Sequence, residues 1–206
     1  MNVSPFDEIE AQSGSWRILD DGIDLSYEPG FVDPRAAEEI FAALHAGLPW
    51  EHHVLRTPAG PVAVPRRTSW HADDGLAYRY GSIRHEWRGW TPELMDMRRL
   101  VERHVGCRVN AVLANLYDDE RSSVAMHADD EPDMDPTAPI VSVSLGATRD
   151  FVVRHVVAGA RHVLPLEAGS LLVMAGATQR VSRHGVPKSK HPRGPRINLT
   201  FRTARR

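Results

Sequence analysis

Two periodicities divide the chain. In the first half, two stretches carry apolar residues at helical spacing. D-P-R-A-A-E-E-I-F-A-A-L opens with Asp33 as an N-cap and Pro34 at the first helical position, and places Glu38 and Glu39 near the positive end. T-P-E-L-M-D-M-R-R-L-V-E-R-H-V repeats the device with Thr91 and Pro92. Leu94, Met97, Leu100 and Val101 fall on one face. Between the two, Trp50 to Trp90 is rich in Pro, Gly, Arg and aromatics and reads as short strands and loops. L-R-T-P-A-G-P-V-A-V-P-R-R has the turn chemistry of a hairpin, with Pro58 and Gly60 near its tip. After Cys107 the period changes to two. R-V-N-A-V-L-A-N-L-Y and P-I-V-S-V-S-L-G alternate, and D-F-V-V-R-H-V-V, H-V-L-P-L-E-A-G-S-L-L-V-M and R-I-N-L-T-F-R are further short apolar runs. Helices followed by many short strands predict an α+β protein whose second half is a β-sandwich or barrel.

Composition narrows this little. The 206 residues suffice for one sizeable core, and 42% apolar with 25% charged is ordinary for a globular chain. Lys+Arg total 25 against 27 Asp+Glu, so net charge selects no polyanion partner, although a local patch would be enough. Arginine greatly outnumbers lysine, which suits forked contacts to carboxylate or phosphate. The single cysteine, Cys107, excludes an internal disulfide and reads as a buried apolar residue. No run approaches a membrane span, and the acidic M-N-V-S-P-F-D-E-I-E has no signal-peptide core. The expectation is a cytoplasmic protein with a disordered first ten residues, monomeric because no coiled-coil pattern is present.

The chemistry begins at M-H-A-D-D-E-P. His127 and Asp129 stand two apart, so on an extended strand both point to one face. Alone, the triplet is a weak signal and describes a surface histidine beside acids better than a metal site. His184, in R-V-S-R-H-G-V-P, offers a third ligand, and two histidines with one carboxylate form the facial triad of non-haem Fe(II) oxygenases. Zinc accepts the same donors, so ligand type leaves the metal open. R-I-N-L-T-F-R puts Arg196, Asn198, Thr200 and Arg202 on one strand face and Ile197, Leu199 and Phe201 on the other. Two arginines on one face are costly to bury without anions, and a dicarboxylate such as 2-oxoglutarate supplies two. Upstream, Asn115 and Tyr117 also share a face.

These stretches, with V-L-A-N-L-Y, P-I-V-S-V-S-L-G-A-T-R-D-F-V-V-R-H, L-P-L-E-A-G-S-L-L-V-M and H-G-V-P-K, resemble the AlkB family of Fe(II)/2-oxoglutarate-dependent dioxygenases. In pattern they are nearest to the subgroup containing the human homologue that repairs duplex DNA. The resemblance covers roughly residues 109–203, with V-P-R-R-T-S-W-H-A-D-D-G-L-A-Y-R-Y-G extending it weakly back to about residue 64. It implies a double-stranded β-helix (jelly-roll) core in a single domain over 1–206. Residues 1–90 would form an N-terminal extension, a helix and a nucleotide-recognition lid, and 91–206 a supporting helix and the catalytic core. It implies Fe(II) held by His127, Asp129 and His184, with O2 and 2-oxoglutarate as cosubstrates, the latter lined by Asn115, Tyr117, Arg196, Asn198, Thr200 and Arg202. The implied reaction is oxidative demethylation of 1-methyladenine or 3-methylcytosine in DNA, with release of formaldehyde, succinate and CO2. The base would be flipped or already single-stranded, with Trp70, His71, Asp73, Asp130 and Glu131 forming the substrate wall.

The pattern departs from the family at three places. The usual W-Y-G-D stands here as W-H-A-D, residues 70–73, which puts a histidine at the base-stacking position. Ser182 replaces a tryptophan common in bacterial relatives. The hairpin lacks an aromatic wedge, leaving Leu55, Val62 and Val64, with Arg56, Arg66 and Arg67 as phosphate contacts or ordinary surface arginines. Trp16, Trp50, Trp87 and Trp90 are expected to pack. The same oxygenase chemistry on RNA or tRNA, a small molecule or a protein side chain, and a non-catalytic binding module, are the competing readings.

Overall fold

The computed structural model describes residues 15–76, 78–80 and 83–205. The acidic first ten residues lie outside them. Both capped helices form as the sequence predicts. In α1 (Pro34–Gly47) the Asp33 carboxylate accepts from the amides of Arg35 and Ala36. In α2 (Pro92–Val105) the Thr91 hydroxyl accepts from Leu94, and Gly106 closes the helix in the left-handed region. Leu94, Met97 and Val101 are fully buried by α2, each worth about 1.5–3 kcal/mol of transfer free energy.

Among the described residues fourteen strands form. The larger sheet has the order β1 (Trp16–Asp20), β2 (Ile23–Glu28), β12 (Leu171–Gly176), β9 (Ile140–Gly146), β14 (Arg196–Arg202), β7 (Ala111–Tyr117), β4 (Gly60–Ala72), β3 (Glu51–Thr57). The smaller one is β11 (Arg161–Leu166), β10 (Arg149–His155), β13 (Ser182–Val186), β8 (Val124–His127). A two-stranded ribbon pairs β5 (Tyr78–Tyr80) with β6 (Ile83–His85). The helices cover one face of the larger sheet, packing Leu44, Leu94 and Val101 against Val143, Ile197, Leu199 and Phe201. Its other face meets the smaller sheet across Leu25, Tyr117, Phe151, Val153, Leu166 and Met174. This is the jelly-roll core, backed by helices.

The division at residue 90 does not survive. β1 and β2 join the larger sheet through β12, and β3 and β4 extend its opposite edge, so four strands from before residue 90 belong to the core sheet itself. The hairpin forms as predicted, with Thr57 opposite Gly60 and Leu55 opposite Val62. A short helix, α3 (Thr178–Val181), was not anticipated. No helix among the described residues is long and apolar enough to cross a membrane.

Candidate active site

The site sits between the sheets, where register decides what meets what. β14 lies between β7 and β9. Arg196 is opposite Tyr117, Asn198 opposite Asn115, and Thr200 opposite Ser142. All these face the inter-sheet side, because Ile197, Leu199 and Phe201 face the helices. Across the gap, β13 and β8 place His184 directly opposite His127. Ligand atoms of His127, Asp129 and His184 all lie within 4.8 Å of one another. Asp129 bridges the rings: its Oδ1 is 3.5 Å from His127 Nε2 and its Oδ2 is 3.5 Å from His184 Nε2. His127 Nδ1 lies 2.8 Å from the Ala125 carbonyl, and donating there leaves the Nε2 lone pair facing the acid.

Gly185 lets this pair close. The register breaks between His184 and Val186, and a Cβ at 185 would stand 2.8 Å from the Val124 carbonyl oxygen. Gly185→Ala is therefore expected to push β13 off β8 and cost about 1–3 kcal/mol. Chemical denaturation would measure that loss. Metal titration should show a parallel fall in affinity at the triad.

The electrostatics are set by burial. Asp129 is 6% exposed and donates its amide to Gln179 Oε1 at 2.9 Å. Burial alone would raise its pKa. The charge of Arg202 first, then the two imidazoles set against the carboxylate, overcome this and hold it well below the usual carboxylate range. Arg202 Nη2 donates to Asp129 Oδ1 at 2.6 Å, and its Nη1 donates to the Tyr78 hydroxyl at 2.9 Å. Tyr78 in turn donates to Glu131 Oε1 at 2.6 Å. Arg196 is 1% exposed, gives Nη2 to Ser144 Oγ at 2.9 Å, and lies 5.1 Å from the Tyr117 ring centre. Its Nε and Nη1 find no hydrogen-bond acceptor among the described residues. Burial lowers its pKa.

One cavity collects nine of the predicted residues: His127, Asp129, His184, Asn115, Tyr117, Arg196, Asn198, Thr200 and Arg202. Arg66 and Tyr78 line it as well, and neither was singled out for it. Arg66 turns inward and donates Nε to Asn115 Oδ1 at 2.8 Å. Tyr78 stood in the quoted L-A-Y-R-Y-G stretch as an aromatic without a role. Gln179, which steadies Asp129 from α3, gave no sequence signal.

Residues 24–202 match the 2OG-Fe(II) oxygenase superfamily. The chain is 39% identical to bovine "Alpha-ketoglutarate-dependent dioxygenase alkB homolog 3", over 85% of this chain and 64% of that one. It is 36% identical to human "DNA oxidative demethylase ALKBH2", over 91% of this chain and 76% of that one. The chain belongs to the AlkB branch of the 2OG-Fe(II) oxygenases. It spans just under two thirds of the length of its AlkB homolog 3 relatives, 64% for the bovine one. The fold is shared with the solved structure of OsALKBH1, at a TM-score of 0.62 and 18% identity over 90% of this chain and all of that one. The family's cofactor set is Fe(II) with 2-oxoglutarate and O2.

The cavity of this AlkB-type chain fits that set. Two imidazoles and a carboxylate suit Fe(II) with open positions. A buried guanidinium with two unused donors suits a carboxylate.

The W-H-A-D residues do not reach the cavity. Trp70 faces the inter-sheet side but lies behind Tyr78, stacked at 4.5 Å, with Nε1 donating to the Leu76 carbonyl. His71, its neighbour on the same strand, must point the other way. It is 2% exposed, with Nδ1 2.7 Å from the Gly89 carbonyl and Nε2 3.0 Å from Ser69 Oγ. The stacking role read for His71 is thus corrected to a packing one. Asp73 pairs with Arg98 and accepts from Trp90 Nε1. Asp130 is exposed, and with Glu131 it lines a second cavity that shares Asp129 and Arg202. Arg67 is paired with Asp118. Trp16 stacks on Tyr27 and Trp90 on Phe201, as expected of packing residues. Ser182 is buried with Oγ on the Thr178 carbonyl.

Burial, against the hydrogen bond to Gly89, lowers the His71 pKa below 6.5. The unfolded chain then binds the extra proton first, so this histidine subtracts stability as pH falls below 6.5. His71→Gln is expected to flatten the decline of Tm between pH 6.5 and 5, measured by thermal scans of both proteins.

Proposed function

We propose that this protein is an oxidative demethylase of N-alkylated bases in nucleic acid, 1-methyladenine and 3-methylcytosine in DNA first among them. The observation that carries the reading is the meeting, in one buried cavity, of the His127–Asp129–His184 group with the two unused donors of Arg196. The names of the relatives support DNA as substrate. Fe(II) at the triad supplies the O2 activation by which 2-oxoglutarate is oxidised to succinate and an N-methyl group is hydroxylated.

The chain's own residues do the positioning. Arg196 binds one carboxylate of 2-oxoglutarate as a fork, with Ser144 and the Tyr117 ring fixing its plane. Asn115, Asn198 and Thr200 line the path between the two arginines, and Asn198 is held by Ser142 at 2.6 Å. Arg202 keeps Asp129 ionised and oriented. Tyr78 and Glu131 hold Arg202, and Asp130, which lines the adjoining cavity that shares Asp129 and Arg202, would accept from the exocyclic amine of a cationic methylated base. Val54 and Val62 stand 56% and 50% exposed on the hairpin, an aliphatic tip with little stacking surface. We therefore expect single-stranded substrate to be used at least as well as duplex.

The test is incubation with Fe(II), ascorbate, 2-oxoglutarate and an oligonucleotide containing 3-methylcytosine, single-stranded and duplex, with His127→Ala as control. Loss of one methylene mass together with succinate release establishes the reading. Succinate without demethylation keeps the oxygenase and moves the substrate to another class. Neither product from folded, iron-loaded protein overturns the catalytic assignment.

A further inference from the structure

A second group of ligand-type side chains stands apart from the triad. Glu51 and His53 on β3 and His85 on β6 bring one ligand atom each within 4.8 Å of one another. Glu51 and His53 are two apart on β3, where the pairing with β4 shifts register at His53, and their ligand atoms come together there. Glu51 Oε2 lies 3.4 Å from His53 Nε2, close to the edge of about 3.3 Å that a tetrahedron has around zinc with ligands at about 2.0–2.1 Å. The two imidazoles meet edge-on, ring centres 4.8 Å apart. His85 is 3% exposed and the side chain of His53 is 13% exposed.

Hydrogen bonding does not explain the cluster. His53 Nε2 and His85 Nδ1 are buried and make no hydrogen bond among the described residues. A purely structural polar cluster satisfies its nitrogens. Burial lowers the pKa of both rings, against the opposing charge of Glu51 at His53 and reinforced by His53 at His85. Outer support is in place: Arg88 donates to Glu51 Oε1, which leaves Oε2 turned toward His53. The Tyr78 ring stacks on His85 at 5.2 Å. Two neutral imidazoles and one carboxylate beside arginines disfavour a hard cation and select a nitrogen-preferring one.

We propose that Glu51, His53 and His85 form a second metal site, for a divalent transition ion of the zinc type, distinct from the His127–Asp129–His184 group. Such an ion ties β6 to the edge strand β3. Because β6 pairs with β5, it also steadies Tyr78 and through it Arg202. The site is thus a clip on the cavity wall, and the inference stands independently of which base or molecule the cavity accepts.

The test is zinc stoichiometry and affinity on tag-free, metal-stripped protein, by competition with a chromophoric chelator. His127→Ala/His184→Ala is expected to retain one tight equivalent. That equivalent should disappear when His53→Asn/His85→Asn is added, and hydrogen exchange in residues 78–85 should slow on zinc addition only while the Glu51 group is intact. If His53→Asn/His85→Asn fails to fold by circular dichroism, Glu51→Gln replaces it, with zinc binding at this site expected to weaken by about tenfold to a hundredfold or more. A triad-deficient protein that holds no tight zinc overturns the proposal. So does one whose zinc is indifferent to Glu51, His53 and His85.

Discussion

Asp129→Ala is expected to abolish metal binding at the triad and to destabilise the metal-free protein by about 3–5 kcal/mol, as breaking a buried ion pair does. The two effects have separate causes. The carboxylate stands between His127 Nε2 and His184 Nε2, so its loss removes the acidic donor. It also strips Arg202, 4% exposed, of its shortest anionic contact. Glu131 remains, but at 3.6 Å from Nη1. Arg202→Met in the Asp129→Ala background is expected to recover most of the stability and none of the metal binding. A double-mutant cycle by urea denaturation measures the first, and iron titration the second. If the single and double variants are equally stable, the ion pair is not what Asp129 contributes to the fold.

Arg196→Met is expected to move the two observables in opposite directions. Binding of 2-oxoglutarate should weaken by about 30-fold to several-thousand-fold, the range that corresponds to ~2–5 kcal/mol for truncating one partner of a buried charge pair. The ligand-free protein should hold or gain Tm, because the guanidinium is wholly buried with two donors unused and a methionine fills similar volume at no desolvation cost. Thermal scans with and without 2-oxoglutarate read both at once. An Arg196→Met protein that is destabilised yet still raised in Tm by 2-oxoglutarate to the wild-type extent would show that the cosubstrate carboxylate lies elsewhere.

What could be read from sequence depended on whether a local rule carried the information. Asp33–Pro34 and Thr91–Pro92 announce helix starts because capping is decided within four residues. R-I-N-L-T-F-R could be assigned face by face because a period of two leaves no freedom once the strand is granted. β1 and β2 show in the sequence only through the tight turn of L-D-D-G-I-D, where Asp21 and Gly22 both adopt positive φ. His71 shows how the period of two constrains a site. Trp70 and His71 were given one substrate wall, yet adjacent strand residues face opposite sides, and His71 sits over Val112 on the helix side. Tyr78 and Gln179 depend on how a ribbon and a one-turn helix fold over the cavity. No short-range pattern encodes that.

β14 carries a consequence for the order of assembly. It is buried along its whole length and hydrogen-bonded on both sides, between β7 and β9. Its two arginines are also the last of the site to leave the ribosome. Until β14 inserts between β7 and β9, the cavity has neither Arg196 nor Arg202 on its wall. On the proposed reading, the strand that completes the middle of the sheet is therefore also the strand that completes the cosubstrate cavity.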